Sequence, residues 1–151
     1  MSPATLEIDE TSTQDVGAPG RWVTQQIYDP GFKSAVTSQI QGLRGLAPGW
    51  DGYSAPRIDE AIVDAALKLV QELAPHIAPR PRVVPLSSGG LQFEWQAANG
   101  QSLELEFEND STIHYLRWHQ AAGIEDEAFL SVDEVEEIEQ LIKWFTDRAD
   151  V

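Results

Sequence analysis

The strictest constraint in this chain is an alternation. Leu91, Phe93 and Trp95 alternate with Gln92, Glu94 and Gln96, and Leu103, Leu105 and Phe107 alternate with Glu104, Glu106 and Glu108. Asn99-Gly100 sits between the two runs. A period of two sends successive side chains to opposite faces of a strand. Asn-Gly is the dipeptide that best tolerates the positive φ of a tight hairpin turn. The two runs therefore predict an antiparallel hairpin, greasy on one face and polar on the other. Thr112–His119 extends the pattern as a further strand after a turn at Asn109-Asp110, and Val83-Val84 precede it as a short strand broken by Pro85, with residues 87–90 as the turn.

On either side of this meander the apolar period becomes helical. One helix starts at Asp29-Pro30, because Asp is a good N-cap and Pro suits the first helical position. Phe32, Val36, Ile40 and Leu43 form its stripe and Gly45 stops it. A second helix, capped by Asp59, lines up Ile62, Ala66, Leu69, Val70 and Leu73 and closes before Pro75. A third starts at Ser131, where Ser131 and Glu134 form an S-x-x-E capping box. It buries Val135, Ile138, Leu141, Ile142 and Phe145 and turns Glu136, Glu137, Glu139 and Gln140 mostly to water, with Lys143 and Arg148 near its negative end. Residues 21–28 read equally as a short helix or a strand, residues 76–82 as an extended basic connector, and residues 120–130 as a loop. Amphipathic helices and a one-sided sheet hide their apolar faces against each other. The expected fold class is α+β: a two-layer domain in which an antiparallel meander of three to four strands packs against amphipathic helices. Residues 1–20, with four acids, no base and no aromatic, read as a flexible acidic tail. Residues 21–151 then form a single α+β domain.

Charge decides which partners such a domain suits. The 151 residues hold 25 acids against 10 Lys and Arg, a formal net charge of −15, and residues 101–151 alone carry −11. Such an excess argues against direct binding to nucleic acid or an anionic membrane and biases encounters toward basic proteins. No apolar run approaches the ~20 residues of a membrane-spanning helix. The absence of Cys removes disulfides, thiol nucleophiles and Cys-ligated zinc, and it fits a reducing, cytoplasmic setting.

Catalytic constellations are missing from the pattern. His114 and His119 are five apart on one strand and face opposite ways, so they cannot share an ion. No H-E-x-x-H, EF-hand, P-loop, G-x-G-x-x-G or G-x-S-x-G motif is present. Glu104, Glu106 and Glu108 share a strand face, a spacing geometrically compatible with a glycosidase-like pair but ordinary for a solvated face. No catalytic residue, metal or cofactor is expected. The candidate contact surface is acidic: Glu104, Glu106, Glu108, Glu125, Asp126, Glu127, Glu136 and Glu137. A second candidate is the loop carrying Trp50, Asp51 and Tyr53. Its favoured reading is structural, with Trp50 and Tyr53 plugging the end of the core and Asp51 bonding backbone amides in an Asx-type turn. The other reading uses both aromatics as interface anchors. Trp118 and Trp144 are assigned to the core.

Gly49-Trp50-Asp51-Gly52-Tyr53, followed by Ala55-Pro56 and Ile58, is joined later by Val83-Val84-Pro85 and by Gly89-Gly90-Leu91-Gln92-Phe93-Glu94-Trp95. Across about residues 40–110 this pairing resembles a group of small acidic bacterial proteins with a GWDGYxAP loop and a later GGLQFEW-type strand. The resemblance implies a bacterial, cytoplasmic accessory protein and brings no activity with it. The function expected from charge, size and missing machinery is that of a non-enzymatic interaction protein (an inhibitor, antitoxin, immunity-type or regulatory subunit) binding a basic protein partner. The alternatives are a small secretion-type chaperone acting as a homodimer, a nucleic-acid mimic, and an unrecognised enzyme with its pocket between the Trp50 loop and the sheet.

Overall fold

The computed structural model describes residues 29–74 and 79–148. The expectations for residues 1–20, for residues 21–28 and for His76 lie outside the described residues. Five strands form one antiparallel sheet: β1 (Arg82–Pro85), β2 (Leu91–Gln96), β3 (Ser102–Phe107), β4 (Thr112–His119) and β5 (Ile124–Ser131). Their order in space is their order in the chain. Three helices, α1 (Phe32–Gly42), α2 (Glu60–Glu72) and α3 (Val135–Arg148), complete an α+β fold. None of the described helices is long and apolar enough to cross a membrane.

The meander is longer than expected by one strand. Residues 120–130 contain a short 3₁₀ turn and then β5, rather than a loop. Gly123 turns the chain with φ +68, a conformation that costs glycine little. Three consecutive acids, Glu125, Asp126 and Glu127, hide the strand from any period-two reading. What holds it is cross-strand pairing with β4: Asp126 lies opposite Arg117, and Phe129 opposite His114. Arg117 Nε donates to Asp126 Oδ2 at 2.8 Å, and His114 Nε2 meets Glu127 Oε1 at 2.7 Å.

Alternation sorts the sheet into two faces. Val83, Phe93, Leu105, Tyr115 and Ala128 form one row across the strands on the covered face. Leu91, Phe93, Trp95, Leu103, Leu105, Phe107 and Ile113 are buried there, with Phe93 edge-on to Phe107 at 5.2 Å between ring centroids. All three helices roof this face. Phe32, Val36 and Ile40 of α1, Val63, Ala66, Leu69 and Val70 of α2, and Ile138, Ile142 and Phe145 of α3 join the strand residues in one core. Each of these side chains larger than Ala66 contributes about 1.5–3 kcal/mol of burial. Gln101, buried in the β2–β3 turn, is satisfied by donating to the Trp144 carbonyl of α3.

Local chemistry accounts for the element ends. Asp59 Oδ1 accepts from the Ala61 amide at 2.9 Å and caps α2 as expected. Asp29 and Pro30 instead form a turn ahead of α1, which begins at Phe32; Asp29 Oδ1 accepts from the Gly31 amide and both of its oxygens hold Arg80. The capping box is present in part: Glu134 reaches back to the Ser131 amide at 2.8 Å, but Ser131 Oγ takes the Asp133 amide and α3 begins at Val135. Pro85 does not break β1 but ends it, opposite Leu91 on an edge strand where a missing N–H is harmless. The β2–β3 turn falls one residue earlier than Asn99-Gly100 implies: the Gly100 amide bonds the Ala97 carbonyl, and Gly100 alone follows with φ +90. That is a three-residue loop closed by the Ala97 amide on the Gln101 carbonyl.

Candidate functional site: the uncovered face of the sheet

The face turned away from the helices carries the even-numbered residues of β2, β3 and β4 and the odd-numbered residues of β5. Gln92, Glu106, His114 and Phe129 make one row, and Arg82, Glu94, Glu104, Leu116 and Glu127 make the next. Trp118 and Glu125 stand opposite each other in a third. Carboxylates thus meet carboxylates in the middle of a stiff sheet. Glu94 is held by Arg82 Nη2 at 2.9 Å and by Gln92 Nε2 at 2.7 Å. Burial among these neighbours raises the Glu104 carboxyl above the ordinary range, and the Glu94 charge opposite adds to it while His114 opposes. Glu106 is raised in the same direction, first by burial and then by a hydrogen bond shared with Glu108.

Among the described residues Glu106, Glu108 and His114 bring one ligand-type atom each within 4.8 Å of one another. The set offers two carboxylates and a ring nitrogen, but the His114 Nε2 is already engaged by Glu127. Apolar groups lie beside the acids. Trp118 is 37% exposed and Phe129 64% exposed, with Phe129 stacked on His114 at 4.9 Å between centroids. An anionic sheet face with exposed aromatics is suited to holding a cationic macromolecular surface, where aromatic anchors dominate contact energy.

The sequence-selected residues divide among several places. Glu104, Glu106, Glu125 and Glu127 share the uncovered face, and Glu108, just past β3, adds its carboxyl to the edge of that group. Asp126 does not belong to it. Its side chain lies on the covered face, where it accepts from Arg117 and from the Tyr115 hydroxyl at 3.2 Å, and burial plus this carboxylate push the Tyr115 hydroxyl up. Arg117 in turn lies over Trp144 at 5.3 Å. Glu136 and Glu137 are exposed in the first turn of α3, in the helical layer that covers the opposite face of the sheet from the strand carboxylates. Trp118 is not a core residue: it is an odd number of positions from buried Ile113 and therefore points to the opposite face. That parity is the signal that also places His114 and Leu116 on the acidic face.

The Trp50 loop folds onto itself. Trp50 packs against the core and donates Nε1 to the Pro56 carbonyl at 3.0 Å. Asp51 Oδ1 accepts from the Tyr53 amide at 2.9 Å and the Ala55 amide at 3.3 Å, the expected Asx arrangement. Tyr53 does not plug the core; it is 87% exposed. Gly49 at φ +80 lets its amide reach the Ala55 carbonyl at 2.7 Å and close the loop. Comparison with protein-family models, curated proteins and solved structures finds no match for this chain.

Proposed function

We propose that this is a non-enzymatic interaction protein that uses the uncovered sheet face to bind a protein with a basic surface, in the manner of an inhibitor, antitoxin, immunity-type or regulatory subunit. The observation that carries the reading is the row Glu94–Glu104, two carboxylates directly opposed on that face, beside the exposed Trp118 and Phe129. A like-charge pair at a directly opposed position is unfavourable in the free protein. A partner's Lys or Arg removes that penalty on binding, while the aromatics supply desolvated contact area. The test is affinity capture from the native host at low and at high salt, with mass spectrometry of the captured proteins. It compares the wild type with Glu104→Gln/Glu106→Gln/Trp118→Ala and with Glu136→Gln/Glu137→Gln. The reading expects a basic protein whose capture falls at least tenfold for the first variant and in high salt, and stays unchanged for the second. Equal capture by all three proteins, or capture indifferent to salt, rejects it.

A further inference from the structure

An open five-stranded sheet has two edges, and this protein treats them differently. The β1 edge is closed. It spans only four residues, Pro85 removes one N–H, and the α1 side chain Gln39 covers its backbone by accepting from the Val83 amide at 2.9 Å and donating to the Pro81 carbonyl at 3.3 Å. The β5 edge has none of these devices. It runs eight residues, IEDEAFLS, with no Pro or Gly, and among the described residues no side chain or neighbouring strand hydrogen-bonds the outward backbone of residues 124–130. Unpaired edge groups are a template for another strand.

We infer that the β5 edge is a strand-addition site for an extended basic segment of the partner. This deepens the function proposed above and rests on it. The charge of the edge selects the occupant. A strand laid beside β5 sets its side chains next to Glu125, Glu127 and Phe129 on the uncovered face, and next to Ile124, Asp126, Ala128 and Leu130 on the other, where Asp126 is already paired with Arg117. Alternating Lys or Arg with small apolar residues meets both rows: the cations face Glu125 and Glu127, with a Lys or Arg stem lying along the exposed ring of Phe129, and the apolar residues face Ala128 and Leu130. A second copy of this chain is the poorer occupant. Pairing β5 with itself gathers two sets of Glu125, Asp126 and Glu127 on one ribbon between chains that each carry −15.

The experiment uses the full chain and a labelled octapeptide of alternating Lys and Val, with two isomers bearing backbone N-methyl groups on the Val amides or on the Lys amides. Only alternate amides of an added strand face its neighbour. Strand addition therefore predicts that one isomer binds at least tenfold more weakly than the parent while the other stays within about twofold. It also predicts slowed amide exchange in β5 on peptide binding. Glu125→Lys, at an exposed position whose carboxylate holds no other group among the described residues, lowers affinity at least tenfold with an unchanged melting temperature. No binding of the parent peptide, equal binding of both isomers, or protection confined to β2 and β3 overturns the inference. Equal binding of both isomers together with loss in Glu104→Gln/Glu106→Gln rejects the edge alone and leaves the face reading standing. A stable dimer by light scattering whose β5 amides are protected without peptide assigns the edge to a second copy and also overturns it.

Discussion

Glu94 on β2 and Glu104 on β3 are directly paired across the sheet, with both side chains on the face turned away from the three described helices. Arg82 and Gln92 hold the first, whereas burial and the Glu94 charge raise the second above the usual carboxylate range. A sheet designed only for stability places opposite charges at such positions.

Glu104→Gln is therefore expected to stabilise the free protein at neutral pH by roughly 0.2–1 kcal/mol. The sign follows from linkage: a carboxyl whose pKa is raised by folding disfavours the folded state once it ionises. The stabilising contribution of the protonated form is present at low pH and is lost as pH rises from the ordinary Glu range through the raised value. Urea unfolding at pH 7 and below pH 4 checks it. The variant gains stability over wild type at the higher pH, and the gain shrinks at the lower one. A Gln variant no more stable than wild type at pH 7 contradicts the argument.

Two glycines separate close approach from mere tolerance. A Cβ on Gly90 meets the Phe107 backbone oxygen at 2.9 Å, so Gly90→Ala forces the β2 entrance away from β3 and is expected to cost about 1–3 kcal/mol. Gly42, at φ −60 near the end of α1, has open space around that position, and Gly42→Ala is expected to stabilise by about 0.4–1 kcal/mol. Thermal melts of the two variants should move in opposite directions.

Asp51 and Tyr53 are neighbours in the same loop with opposite expectations. Asp51→Ala strips the acceptor from two backbone amides and is expected to cost about 1–2 kcal/mol, with Asp51→Asn restoring most of it. Tyr53→Ala should leave stability within about 0.5 kcal/mol of wild type, since its ring is exposed. Chemical denaturation of the three variants is the measurement. A large loss for Tyr53→Ala would refute the assignment of its ring to solvent.

Arg117 joins β4, β5 and α3 through Asp126 and Trp144. Arg117→Ala is expected to destabilise by about 1–2 kcal/mol and to speed amide exchange in β5 more than in β2, because the lost pair sits between β4 and β5. Hydrogen exchange by mass spectrometry resolves the two strands. Uniform acceleration across the sheet would show that Arg117 does not specifically hold the edge.

Legibility followed the range of the interaction involved. The apolar alternation of Leu91, Phe93 and Trp95 and of Leu103, Leu105 and Phe107 states which face is buried, and the Ile62-to-Leu73 stripe states the same for α2. Glu104 and Glu106 inherit the opposite face by parity. Tyr53 lies in solvent although the sequence suggests a plug, because an aromatic ring in a loop carries no period and its direction is decided by the amide bonds of Asp51. Trp118 shows the opposite case: its bulk suggests a core, while its parity with His114 places it on the other face.

The order of residues alone determined two-sided strands, amphipathic helices and an acidic exterior, since each depends only on spacing along the chain and on the water-avoidance of individual side chains. The tertiary structure decided that residues 124–131 are a strand, that α3 lies on the same sheet face as α1 and α2, and that Gln39 caps one edge while no described residue pairs with the other. Those outcomes depend on partners brought from distant positions, Arg117 for Asp126 and Gln39 for Val83, and no local pattern encodes a neighbour that only folding supplies.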